Sequence, residues 1–148
     1  MIQDDKKTLI MLVGDIHRQF GHKIRELEKN NGLGMSVNYI LMELMKHGNL
    51  TQVELVEKIH MRPSSISVAI QKMEYEDLIE RKTKDDDQRY SVICITEKGK
   101  KVCDEMRKKI YELDNSYTSQ LDEEELELAK KVLVKLSLLF EEEKNENI

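Results

Sequence analysis

Between Asn49 and Gly99 the chain gathers the side chains best suited to touching a polyanion. Pro63 opens a helical pattern that carries Ser64, Ser65, Ser67, Val68 and Lys72. Helical spacing turns Ile66, Ala69, Ile70 and Met73 to one face, which is the face to bury. Ser64, Val68, Gln71 and Tyr75 then point the opposite way, with Ser65, Ser67 and Lys72 at the flanks. Small hydroxyl residues at a helix N-terminus let the backbone come close to a phosphate or a groove. Lys72 adds a cation for a phosphate, and Val68 can offer apolar contact, for instance to a thymine methyl. The same serines could simply cap and solvate an ordinary helix. Their place on the second helix of a close pair favours the nucleic-acid reading.

The elements that would position these residues are well marked. Thr51 is an N-cap with Glu54 at the capping-box position, and Leu50 and Leu55 are spaced as a hydrophobic staple. Leu55, Val56 and Ile59 give that first helix its apolar stripe, and the chain breaks at His60 to Arg62. Pro63 suits the first position of the next helix, where its missing N–H would be unpaired anyway. Leu78–Thr83 and Tyr90–Thr96 alternate as strands, joined by the polar turn Lys84-Asp85-Asp86-Asp87-Gln88. Helix, short break, helix and β-hairpin make a winged helix-turn-helix. Its second helix would enter a major groove while the hairpin reaches the adjacent backbone, with Thr51, Gln52, Arg62, Pro63 and Lys84 as further contact candidates.

As a set, the residues of this stretch resemble the MarR family of transcriptional regulators. The resemblance is carried by Leu50-Thr51-Gln52, Glu54-Leu55, Met73-Glu74, Leu78-Ile79-Glu80-Arg81, Asp87-Gln88-Arg89 and Ile95-Thr96-Glu97-Lys98-Gly99. It covers about a third of the chain, and the flanking helices fit the family's layout. It implies a homodimer on a pseudo-palindromic double-stranded operator, most often a repressor, released when a small-molecule effector changes the spacing of the two reading helices. It also implies that Arg89 enters a minor groove and that Asp87 orients it. As a bare surface ion pair the two would contribute little. Three departures stand out. Val68 occupies a position where many members carry arginine, so guanine readout from there is absent. Arg62 replaces a capping serine and adds a cation at the groove edge. His60 and Asp77 replace glycines, and both residue types tolerate positive φ.

The remaining chain reads as helix. One helix covers residues 2–28. Ser36 caps a second, which stops near Gly48, and Thr96 caps the helix after the hairpin. Asp122, with Glu125 and the Leu121/Leu126 staple, starts the last helix, whose tail frays from Glu141. The expected fold is mainly α with a small β-hairpin wing. Residues 36–99 form the winged helix-turn-helix, and residues 1–30 and 100–144 form a helical dimerisation region within a single 148-residue protomer. Leu126, Ala129, Val132, Leu133, Leu136, Leu139 and Phe140 give the last helix more apolar surface than a small domain covers, which agrees with a second copy.

Net charge is −5, an unusual balance for a DNA binder. Residues 1–120 hold 20 basic and 20 acidic side chains, and residues 121–148 hold 4 and 9, so the whole excess lies away from the proposed reading head. The four histidines and two cysteines have no metal-ligand spacing, and neither cofactor nor catalytic set is expected. Cys94 is expected to face outward from the hairpin. The absence of a long apolar run and of a disulfide framework points to a cytoplasmic protein without membrane contact. The rival reading is a protein-interaction module that keeps the fold without an operator.

Overall fold

The computed structural model describes residues 6–28, 34–83 and 91–146. In chain order its elements are α1 (Leu9–Glu28), α2 (Met35–His47), β1 (Leu50–Thr51), α3 (Gln52–Ile59), α4 (Pro63–Tyr75), β2 (Ile79–Thr83), β3 (Ser91–Ile95), α5 (Glu97–Thr118) and α6 (Glu123–Glu146). The chain divides into two compact units, Met1–Arg107 and Lys108–Ile148.

In the first unit α2 packs on α3 and α4, and α4 packs on β2. The core is built from Val37, Ile40, Leu41 and Leu44 of α2, Leu55 of α3, and Ile66, Ala69, Ile70 and Met73 of α4. Leu50, Leu78, Ile79, Ile93 and Cys103 close it. These are the apolar positions that helical spacing selects on α4, so the opposite face of that helix is left to solvent. The three strands pair antiparallel in the order β1-β3-β2. Leu50 lies opposite Ile93, Ile79 opposite Ile95, and Thr83 opposite Ser91.

Several expectations are corrected. The sheet has a third strand, β1, whose two residues are too few to show any alternation. Lys6–Thr8 are not helical, and α1 begins at Leu9, where the Thr8 hydroxyl accepts the Met11 amide at 3.3 Å. Helix α2 is capped by Gly34, in extended conformation and without a side-chain cap, so Ser36 lies inside the helix. Helix α6 continues to Glu146 beyond the expected fraying point. Cys94 is buried, 4% exposed, beside the fully buried Ile93. Ile93 and Cys94 are neighbours on β3 and both are buried, while Ser91, Val92 and Ile95 are half-buried, so strict in–out alternation fails there.

In the second unit the expected cap of α6 is present. Asp122 Oδ1 accepts the Glu125 amide at 2.8 Å, and the Glu125 carboxylate accepts the Asp122 amide at 3.2 Å. Helix α6 presents Leu128, Leu133, Val134, Leu138, Leu139 and Phe140 to solvent in the single chain.

Candidate nucleic-acid interface

The approach to α4 is fixed by two reciprocal hydrogen bonds at the start of α3. Thr51 Oγ1 accepts the Glu54 amide at 3.2 Å, and the Glu54 carboxylate accepts the Thr51 amide at 2.7 Å. Accepting that backbone hydrogen bond holds the Glu54 carboxyl below its ordinary range. The Thr51 hydroxyl also donates to Glu54 at 2.9 Å, so its side chain is engaged within the cap, and Gln52 is half-buried beside it. The break into α4 passes through His60, whose φ of 56° is left-handed as the sequence implied. Arg62 caps α4 through its backbone alone, with Pro63 at the first turn. The Arg62 side chain is exposed and has no ion pair or side-chain hydrogen bond among the described residues.

Helix α4 displays what its periodicity predicts. Ser64 and Gln71 are exposed, Val68 is 67% exposed and Tyr75 is 89% exposed. Ser65 and Ser67 are half-buried at the flanks, and Lys72 is exposed. Large apolar groups held this far out of the core leave a reading surface of hydroxyl, amide, aliphatic and aromatic character. A groove of about 460 Å³ runs between the first turn of α2 and this helix, lined by Gly34, Ser36, Ser65, Val68 and Lys72. The first turn of α2 thus joins the face. The sequence reading did not include it, because the loop before α2 gives no sign of which helix it will lie beside.

Beyond α4, Arg81 Nε donates to Glu74 at 2.8 Å, and Lys82 pairs with Glu80 at 2.8 Å, which raises the Lys82 pKa. These two wing-strand cations are therefore already partnered. Lys84, Asp87 and Arg89 lie outside the described residues. The turn at the end of α4 passes through Asp77 with φ 57°, the second residue where the sequence departs from glycine.

This arrangement, three helices with an exposed second helix of the pair and an antiparallel wing sheet, defines a winged helix-turn-helix protein. Residues 39–90 match the model of the MarR family. A curated relative, the HTH-type transcriptional repressor MdtR of Bacillus subtilis, is 26% identical over 125 residues, 84% of this chain and 80% of that one. The crystal structure of MepR, a transcription regulator of the Staphylococcus aureus multidrug efflux pump MepA, is 27% identical. It superimposes with a TM-score of 0.69, covering 90% of this chain and 99% of MepR. A MarR family regulator from Listeria monocytogenes, solved in complex with a 26mer DNA, shares the fold with a TM-score of 0.76 at 19% identity, covering 88% and 87%. Among the described residues no helix is long and apolar enough to cross a membrane.

Proposed function

We propose that this protein is a sequence-specific DNA-binding transcriptional regulator that acts as a homodimer and represses until a small molecule releases it. The observation that carries the reading is the outward face of α4, where Ser64, Val68, Gln71 and Tyr75 stand in solvent beside the exposed Arg62, which has no ion pair among the described residues. A helix with this face fits a major groove, and its serines and Lys72 suit the flanking phosphates. The names of MdtR and MepR, and the DNA bound to the Listeria protein, support the same role here.

The dimer is supported by apolar surface that the single chain leaves uncovered. Helix α1 exposes Leu9, Ile10, Met11 and Ile16, and α6 exposes Leu133, Leu139 and Phe140. A lone protomer would keep these side chains in water at a cost that a second copy removes. For the effector, a hollow of about 450 Å³ lined by Met42, Met45, Lys46 and Arg107 has the size and mixed lining of a small-molecule site.

The test is a titration of the purified protein against genomic fragments and random duplex at two salt concentrations. A regulator enriches particular fragments, and its affinity for random duplex falls steeply with salt. A chain that binds neither is an interaction module instead.

A further inference from the structure

We propose that Lys98 is a positioning residue for DNA recognition, which fixes the C-terminal end of α4 against the wing strand by holding the Glu76 carbonyl. The inference rests on the DNA-binding reading above.

Helix α4 closes on itself through a left-handed residue. The Asp77 amide donates to the Glu74 carbonyl at 3.1 Å, and the Leu78 amide donates to the Met73 carbonyl at 2.9 Å. This closure serves carbonyls inside the helix. The carbonyls of Glu76, Asp77 and Leu78 all find donors at the start of α5. Lys98 Nζ donates to Glu76 at 2.7 Å, Thr96 Oγ1 donates to Asp77 at 2.7 Å, and the Thr96 amide donates to Leu78 at 3.1 Å. Thr96 Oγ1 also accepts the Gly99 amide at 3.0 Å, so one hydroxyl caps α5 and grips the exit of α4. Three consecutive residues leaving the reading helix are thus bound by residues 96–99.

Lys98 differs from its neighbours in this clamp. Thr96 and Gly99 are needed by the fold, since one caps α5 and the other packs against Leu78. Lys98 is exposed and fills no core position. What it supplies is a charged donor at the negative end of the α4 dipole, anchored on a different helix. The strand that follows Leu78 leads directly to the wing. A bond from α5 to the last turn therefore sets the angle between reading helix and wing, and base readout needs such elements held to about 0.5 Å.

The competing role for an exposed lysine on this side of the molecule is a direct phosphate contact, and the two leave different marks. Lys98→Met and Lys98→Arg are titrated by fluorescence anisotropy against the tightest genomic duplex and a random duplex, at two salt concentrations, with thermal midpoints measured alongside. We expect Lys98→Met to weaken binding to the selected duplex by about three- to tenfold, within the span of one typical net hydrogen bond. Random-duplex affinity, salt slope and thermal midpoint should stay as in the wild type, and Lys98→Arg should restore affinity. Equal weakening on both duplexes, with a salt slope shallower by about one, marks a phosphate contact and overturns the proposal. Unchanged affinity for the selected duplex overturns it too, as does a loss of affinity that tracks a fall in thermal midpoint. In all three cases the DNA-binding reading stands. A wild-type chain that binds no duplex removes both. Should Lys98→Met fail to fold, Lys98→Gln is carried through the same titrations.

Discussion

Thr51 and Glu54 bind each other reciprocally, backbone to side chain in both directions, and Thr51 also belongs to the sheet through its pairing with Val92 on β3. One residue thus ties the first helix of the pair to the base of the wing. The pH dependence follows from Glu54, whose carboxyl lies below its ordinary range because it accepts the Thr51 amide. A depressed carboxyl stabilises the fold fully above its unfolded value, and that contribution is lost as pH falls through the lower folded value. Thermal melts of wild type and Glu54→Gln from neutral to acid pH should therefore differ at neutrality and converge in acid. Thr51→Ala should cost about 1 kcal/mol at neutral pH.

Gly99 has no room for a side chain. A Cβ at this position would come within 2.1 Å of the Leu78 carbonyl oxygen and 2.9 Å of an Ile95 side-chain carbon. The backbone oxygen cannot move without pulling the α4 exit. Gly99→Ala should lower stability by about 3 kcal/mol, in the upper part of the overpacking range, as read by denaturant unfolding.

The proposed dimer places charge-sensitive positions on α6. Leu133→Asp combined with Leu136→Asp would bury carboxylates at the interface, costing several kcal/mol each unless they stay in water. Light scattering should find monomer or aggregate. A dimer of normal stability would take this helix out of the interface.

The two halves of the DNA face should fail differently. Val68 is well exposed on the reading helix, and Val68→Arg should change base preference at one operator position by about 1–3 kcal/mol. Arg89→Ala, if that residue reads groove width, should weaken operator and random duplex alike and shallow the salt slope by about one. Affinities over a panel of single-base operator changes at two salt concentrations separate these results. The opposite pattern would exchange the two roles.

Both cysteines are buried, and burial pushes the Cys103 thiol up, with Asp104 adding to the effect. Thiolate is then scarce at neutral pH. Alkylation of the native protein should be slow at both sites and become fast only on addition of denaturant. Rapid native labelling of either cysteine would point to a redox role.

Much of this architecture is legible in the residues because it is written in short-range patterns. The Thr51–Glu54 and Asp122–Glu125 boxes, Pro63 at a first helical turn and the buried stripe of α4 all depend on spacings of three or four. What escapes the sequence is long-range. β1 exists only because Leu50 and Thr51 meet β3, some forty residues on. Cys94 is buried next to the buried Ile93 through tertiary packing, which no alternation within the hairpin can reveal. The α2 start joins the reading face, and Lys98 reaches Glu76, through tertiary approach alone. Thr96, Lys98 and Gly99 are visible as a motif, but the three carbonyls that Thr96 and Lys98 hold are not.

His60 and Asp77 stand at the two ends of the reading helix, each in the left-handed region with a side chain attached. Glycine adopts that conformation without strain, and asparagine readily. Exchange among these residues at either turn therefore leaves the path of the backbone intact. The shape of the two turns that bracket the reading helix is thus set by backbone conformation and not by one obligatory residue type. Substitutions that look drastic on paper can be geometrically silent there, one route by which lineages diverge widely in sequence and keep the same way of presenting a helix.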